Sequence, residues 1–217
     1  LQDSTLFSCG LCQGNQLEAY HQDKYRLYWQ CQTCQLVMVD PKSRLTPAQE
    51  KAIYNSHEND LADEGYRRFL ARVADPLLAR LVIPSQGLDF GCGPGPLLAK
   101  MLEEAGHQVA LFDLYYANDA SVLTRQYDFI VSTEVVEHLA EPAKVLTQLL
   151  ACLKVGKPLA LMTKLVIDKA RFANWHYKND LTHISFFSQE SFAYFAAQQD
   201  CELEFIGNDV IILTKRS

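Results

Sequence analysis

The sequence predicts an α/β protein, a mostly parallel sheet flanked by helices and preceded by a small cysteine-stapled ribbon. Three observations carry this reading. From Gly87 onward, strand-like and helix-like segments alternate. A glycine-rich turn, Gly91-Cys92-Gly93-Pro94-Gly95-Pro96, joins the first of those strands to the first of those helices. Near the N-terminus four cysteines form two tight pairs, Cys9-Gly-Leu-Cys12 and Cys31-Gln-Thr-Cys34.

With 217 residues, 48% of them hydrophobic, the chain can bury one α/β core plus a small appendage. The composition excludes a disordered or collagen-like chain. A net charge of −6 argues against a dedicated nucleic-acid binder, which carries a basic face. No run of about 18 apolar residues occurs, so no membrane helix is expected. No export signal is visible, although a chain that opens at Leu1 without a Met can lack its true N-terminus; a cytoplasmic location is the expectation.

The cysteine pairs come first. Two residues between thiolates let both sulfurs of a knuckle face one ion. The 18 residues between the pairs return the chain to complete a tetrahedron. This spacing predicts Zn2+ on Cys9, Cys12, Cys31 and Cys34; the alternatives are two disulfides or four unrelated thiols. An odd cysteine total and the lack of an export signal disfavour disulfides. Four protein ligands leave no open position, so the metal is structural, and a module of roughly 40 residues needs it to fold. His21, inside the loop, reads as a solvent-exposed residue rather than a ligand. Segments 25–30 and 36–39 read as strands. Cys92, Cys152 and Cys201 read as small buried residues.

Helices follow. Thr46-Pro47-Ala48-Gln49 starts one, the polar run Ser56-His57-Glu58-Asn59-Asp60 breaks it, and a second covers 65–81 with a kink at Pro76. Strands are then expected at 87–90, 108–113, 127–132, 158–163, 202–206 and 210–214, with helices at 96–105, 142–153 and 189–199. Gly207-Asn208-Asp209 is too short for a crossover, so the last two strands are antiparallel neighbours. Ser188 is placed to cap the last helix, with Ser191 in its first turn.

The glycine turn narrows the function. Alternate glycines let the backbone turn sharply and approach a ligand. A dinucleotide pattern needs a third glycine where Pro96 or Leu98 stands, and no Gly-Lys-Ser/Thr follows. The run from Asp89 through Gly91, Gly93 and Gly95 instead resembles the first motif of class I S-adenosylmethionine-dependent methyltransferases. Leu111-Phe112-Asp113 ends the second strand on an acidic residue where that family holds the ribose. Glu134-Val135-Val136-Glu137-His138 is similar to its Glu-Val-Leu-Glu-His stretch, and Leu153-Lys154-Val155-Gly156 to its Leu-Lys-Pro-Gly-Gly turn.

The resemblance implies a Rossmann-like methyltransferase sheet over 86–217, behind a zinc ribbon at 1–42 and a helical linker or lid at 43–85. S-adenosyl-L-methionine is the implied cofactor, held by Asp89, Gly91, Gly93, Gly95, Asp113, Leu114 and Glu134. Glu134, Glu137 and His138 either meet substrate or cofactor or cap the next helix. Only 13 residues separate Asp113 from Tyr127, about a third of the family's usual length. The third strand is therefore expected to be reduced or absent, giving family strand order 2-1-4-5-7-6. The family's adenine-pairing acid goes with it, leaving Tyr115, Tyr116, Asn118 or Asp119 to close that pocket.

Acceptor-facing residues are expected in the loop after the fifth strand, which carries Phe172, Trp175, His176, Tyr177, Lys178, Asp180, Thr182, His183 and Phe186. His176 is the preferred base there, His183 a base or a structural hydrogen-bonder. With Glu137 and His138 these are the candidate catalytic residues, around an aromatic cavity near Trp175 and His176. From the lid segment, Tyr66 or Arg67 is placed to reach the methionine carboxylate. The expected partner is a small-molecule methyl acceptor; zinc-bearing enzymes acting on nucleotide-linked sugars are similar. Basic and acidic residues balance over 1–45, which disfavours an RNA acceptor without excluding it. A non-catalytic cofactor-binding scaffold is a third reading. The oligomeric state is left open.

Overall fold

The structure is a computed structural model and describes residues 7–54 and 63–217. The polar run 56–60, with His57, lies outside the described residues. Two sheets organise the chain. The smaller contains β1 (Leu17–Gln22), β2 (Leu27–Cys31) and β3 (Val37–Val39), all antiparallel neighbours. Segment 25–30 was expected to be strand from its start, but Asp23 accepts from the backbone N–H of Tyr25 and Arg26 and turns the chain first. The sequence reading missed β1, whose alternation is weak and whose pairing is bulged between Ala19 and His21. His21 is on this strand, half-buried against Tyr28 and Phe172, rather than in an exposed loop.

Two helices precede the large sheet. The first, α1, spans Pro47–Tyr54. Next, α2 (Glu64–Leu78) starts at Asp63, which accepts from the N–H of Gly65 and Tyr66, and runs through Pro76. It buries Leu70, Val73, Ala74 and Leu77, the three-and-four spacing of one helical face.

The large sheet is built from β4 (Gln86–Phe90), α3 (Leu97–Glu104), β5 (Gln108–Phe112), β6 (Phe129–Thr133), α4 (Pro142–Ala151) and β7 (Pro158–Met162). After these come α5 (Lys169–Ala173), β8 (Ser185–Phe186), α6 (Gln189–Gln198), β9 (Cys201–Ile206) and β10 (Val210–Lys215). Its order is β5-β4-β6-β7-β10-β9. The first four strands are parallel, and β10 is antiparallel to both its neighbours. In family numbering this is the expected 2-1-4-5-7-6. Between Asp113 and Tyr127 the chain makes a bridge from Asp113 to Ala117 and a short 3-10 turn, Ala120–Thr124, with no strand. Ser188 and Ser191 form a reciprocal capping box at α6.

Alternate residues of the central strands feed two cores. Leu88, Ile130, Leu159, Leu161, Ile211 and Leu213 face α4 and α6. Phe129, Val131, Ala160, Met162, Val210 and Ile212 face α2 and α3. The N-terminal ribbon joins the first core through Cys9, Leu11, Cys31, Cys34, Leu36 and Met38. Gly10 is part of the reason it can: a Cβ there would meet the carbonyl oxygen of Ala140 at 2.2 Å. The short strand β8, absent from the sequence reading, adds to the ribbon's edge by pairing Phe186 with Val37.

Candidate active site

A cavity of about 720 Å³ opens at the carboxyl ends of β4, β5 and β6, where ligands lie in open α/β sheets. Its floor is the glycine turn. Gly91 and Gly93 adopt φ of +79° and +63°, a region where a side chain is strained. A Cβ on Gly91 would also run into Val135 at 2.3 Å. The turn is tied to the next strand, because Gly91 N–H and Cys92 N–H both donate to Phe112 O.

Asp113 organises the adjacent wall. One carboxylate oxygen accepts from Gly93 N–H at 3.0 Å; the other accepts from Tyr115 and Tyr116 N–H at 2.8 and 3.1 Å. Asp89 lies beneath, 2% exposed. Burial pushes its carboxyl up to about 7, and the Asp113 charge adds to this. Cys92 is only half-buried and lines the cavity, unlike the buried Cys152 and Cys201; its thiol is pushed up to about 12, chiefly by burial. Gly95 and Leu114 line the cavity as expected, joined by Leu123, Val145 and Gln148, which the sequence reading missed. Tyr115 and Tyr116 also line it, whereas Asn118 and Asp119 do not.

On the far side stand Glu134, His138, Asp180 and His183, with Glu50, Tyr54 and Tyr66 from the helices before the sheet. Of the arginines on α2, Arg67 pairs with Glu104 and Arg72 with Asp209. Glu134 sits at φ +52° and donates its N–H to Met162 O. Tyr177 joins two carboxyls: its hydroxyl lies 2.5 Å from Glu137 Oε1 and 3.1 Å from Glu134 Oε2. Burial raises both carboxyls above their ordinary range, and the Glu137 charge raises Glu134 further. His183 Nδ1–H donates to Tyr177 O and His138 Nδ1–H to Thr182 O. Burial, with His138 next, pushes His183 down to about 4.

His176, the preferred base from sequence, is exposed and outside the cavity lining, with its Nε2 3.3 Å from Lys164 Nζ. Trp175 packs on Phe172, Tyr177 and Phe186, beside a separate hollow of about 130 Å³. The aromatic cavity expected near these two residues therefore lies elsewhere, among Tyr54, Tyr66, Tyr115 and Tyr116.

The loop bearing Asp180 and His183 is held from the ribbon. Arg26, 4% exposed, donates through Nη1 to the carbonyls of Asp180, Leu181 and His183. Lys178 pairs with Asp23 at 3.3 Å. In the ribbon, the four cysteine sulfurs lie within 4.8 Å of one another, two pairs at 3.4 Å. A tetrahedral ion with about 2.3 Å bonds places sulfurs about 3.8 Å apart, so the set fits one ion. Both knuckles repeat one backbone design: Gln13 and Gln35 take φ of 61° and donate to Cys9 O and Cys31 O. Leu11 and Gly14 N–H point at the Cys9 and Cys12 sulfurs, which favours thiolates.

Fold and cavity together define a class I methyltransferase. The match to a family model described as "Methyltransferase domain", over residues 54–204, makes the assignment specific: the chain belongs to that family and is an S-adenosylmethionine-dependent enzyme. Three solved structures share the fold. The Burkholderia thailandensis 1,6-didemethyltoxoflavin-N1-methyltransferase, with 1,6-didemethyltoxoflavin and S-adenosylhomocysteine bound, is 14% identical, with TM-score 0.53 over 92% of this chain and 100% of that one. Human N-acetylserotonin methyltransferase in complex with SAM is 16% identical, with TM-score 0.54 over 79% and 61%. Magnesium protoporphyrin IX methyltransferase from Synechocystis, with SAH bound, is 14% identical, with TM-score 0.52 over 76% and 92%. A search of curated proteins finds no match. Among the described residues no helix is long and apolar enough to cross a membrane.

Proposed function

We propose that this enzyme methylates a small acceptor that is neutral or cationic, and that its N-terminal ribbon is held by a structural zinc ion on Cys9, Cys12, Cys31 and Cys34. One observation carries the acceptor class. Among the described residues, the cavity lining includes Glu50, Asp89, Asp113, Glu134 and Asp180, and no Lys or Arg. With the cofactor on Asp89 and Asp113, a phosphorylated sugar, nucleotide or RNA would enter against the three remaining carboxyl groups, and no Lys or Arg lines the cavity to meet it. The three relatives above are named for small-molecule acceptors, which supports the size of the acceptor rather than its charge.

When bound, the cofactor supplies a methyl group on positively charged sulfur. The residues available to hold it are the Gly91–Gly95 turn, Asp113 for the vicinal ribose hydroxyls and Asp89 near the amino-acid end. Leu114, Leu123 and Val145 offer the adenine an apolar slot, with the Gln148 amide at its edge. The protein's contribution is alignment and exclusion of water. Tyr54, Tyr66, Tyr115 and Tyr116 provide the acceptor's aromatic surround. An acceptor hydroxyl must lose its proton, and Glu134, facing the cavity and braced by Tyr177, is the base that this arrangement offers.

Calorimetry with S-adenosylhomocysteine tests the cofactor site. Asp113→Ala should weaken binding by about 1–3 kcal/mol, the scale of hydrogen bonds to a charged group; equal affinity for the variant would remove Asp113 from the ribose. The acceptor class is tested by S-adenosylhomocysteine release across paired neutral, cationic and phosphorylated compounds. Turnover confined to the phosphorylated members or to RNA would overturn it.

A further inference from the structure

Behind the acceptor side of the cavity one phenol meets two carboxyls. The Tyr177 hydroxyl lies 2.5 Å from Glu137 Oε1, 3.1 Å from Glu134 Oε2 and 3.3 Å from Thr163 Oγ1. Tyr177, Glu137 and Thr163 are buried, whereas Glu134 lines the cavity. The Glu137 carboxyl also stands near its own N–H, the Thr163 hydroxyl and the Glu134 carboxyl.

One phenolic hydrogen is too few for this junction if both carboxyls are ionised. An ionised carboxylate only accepts. The Tyr177 hydrogen therefore serves one carboxyl, and the other contact is a hydrogen bond only where the carboxyl brings the proton. Two carboxylates would set a lone pair against the phenol oxygen in a buried place, which is costly. The surroundings agree. Burial opposes ionisation of both groups, and a charge on Glu137 opposes one on Glu134. Lys164, after β7, favours the Glu134 charge; Asp209, in the β9–β10 turn and paired with Arg72, opposes it. Tyr66 on α2 faces both Glu134 and Asp89 as an uncharged phenol. The His183 ring lies 4.2 Å from the Tyr177 ring and is kept neutral by burial, with His138 and Asp180 beside it. Such a pair holds one negative charge.

We infer that Glu134, Tyr177 and Glu137 share one proton, and that a neutral Glu137, acting through the Tyr177 hydroxyl, keeps Glu134 ionised and aimed into the cavity. The proton belongs on Glu137 because that group is 0% exposed and outside the cavity lining, where a charge costs most. Glu137 then donates to Tyr177, and Tyr177 donates to Glu134. Tyr177 and Glu137 are positioning residues; Glu134 alone meets the acceptor. Their use in the reaction rests on the proposed reading of Glu134 as base. In that step the acceptor O–H bond breaks and its proton passes to Glu134. The acceptor oxygen bonds the methyl carbon, and the sulfur–methyl electron pair stays on sulfur, so the carboxylate and sulfonium charges cancel.

Infrared spectroscopy of the full chain with S-adenosylhomocysteine bound, at pH 7, tests the sharing without any acceptor. Glu137→Gln should remove one protonated-carboxyl C=O band. Tyr177→Phe should shift that band and add a second, because Glu134 loses its donor and takes up a proton; the added band should vanish in a Tyr177→Phe, Glu134→Gln double variant. Asp89 contributes equally to every sample and cancels in the difference spectra. Calorimetry with S-adenosylhomocysteine reports folding, and Tyr177→Phe decides the matter if the buried Glu137→Gln does not fold. A folded Glu137→Gln protein that keeps every protonated-carboxyl band, or a Tyr177→Phe protein that gains none, would overturn the proposal. With the acceptor found by the S-adenosylhomocysteine-release screen, Tyr177→Phe should lower kcat about tenfold and leave KM within about twofold. The acceptor reading fails by another route: parental turnover by Glu134→Gln would remove Glu134 as the base while the infrared bands stand.

Discussion

Asp89 sets burial against charge. Its folded value of about 7 stands above the ordinary 3.8. Between those values the folded chain keeps a proton that the unfolded chain has released. The stability this group contributes is therefore fully present below about 4 and lost as pH rises through 7. Asp89→Asn should then melt higher than the parent at pH 8 without ligand, by on the order of 2–4 kcal/mol. The gain should shrink steadily toward pH 5, and cofactor binding should weaken. Melting curves of both proteins from pH 5 to 8 decide this, and a gap that does not change with pH would contradict it. The glycines, Asp89 and Asp113 were legible in the sequence because they fall within short runs whose spacing is itself the signal. Glu50, Leu123, Val145 and Gln148 were not, because each reaches the cavity from a different element.

The ribbon and the loop that carries Asp180 and His183 act as one unit. Val39 N–H donates to Ile184 O, Ile184 N–H to Glu137 O, and Arg26 caps three carbonyls of the loop. Ribbon residues thus hold the segment that brings Asp180 and His183 to the cavity. Arg26→Met keeps the apolar stem and removes the donors. Its acceptor KM should rise about tenfold, the scale of one or two charge-assisted hydrogen bonds. Affinity for S-adenosylhomocysteine should stay within about twofold, since the glycine turn lies outside this network. Parallel loss of both would mean the substitution damages the fold at large. From sequence, Arg26 was only one charge in a balanced segment, and β8 only part of a loop. Two residues carry no usable periodicity, and their strand character comes from Val37 and Met38 across the gap.

For the molecule as a whole, the ribbon is continuous with the main core. Cys9, Cys31 and Cys34 are buried in the same cluster as Leu149, Leu159 and Phe192. Loss of the proposed zinc should therefore lower one cooperative transition rather than melt the ribbon alone. A cost of a few kcal/mol corresponds to a fall of roughly 10 °C in Tm for a chain of this size. Calorimetry before and after chelation tests this, and two separate transitions would show an autonomous ribbon. The glycine turn and the cysteine knuckles followed from the chain alone, since each depends on residues close in sequence; strand order and the missing third strand followed from the family resemblance those motifs carry together with the length of one connection. Folding had to settle the rest. Tyr177 meets Glu134 and Glu137 from some forty positions away, and His176 turns outward while His183, seven residues later, turns in. Such choices belong to packing: which side chain the core and the ribbon press toward the cavity is a property of neighbours that linear order does not list.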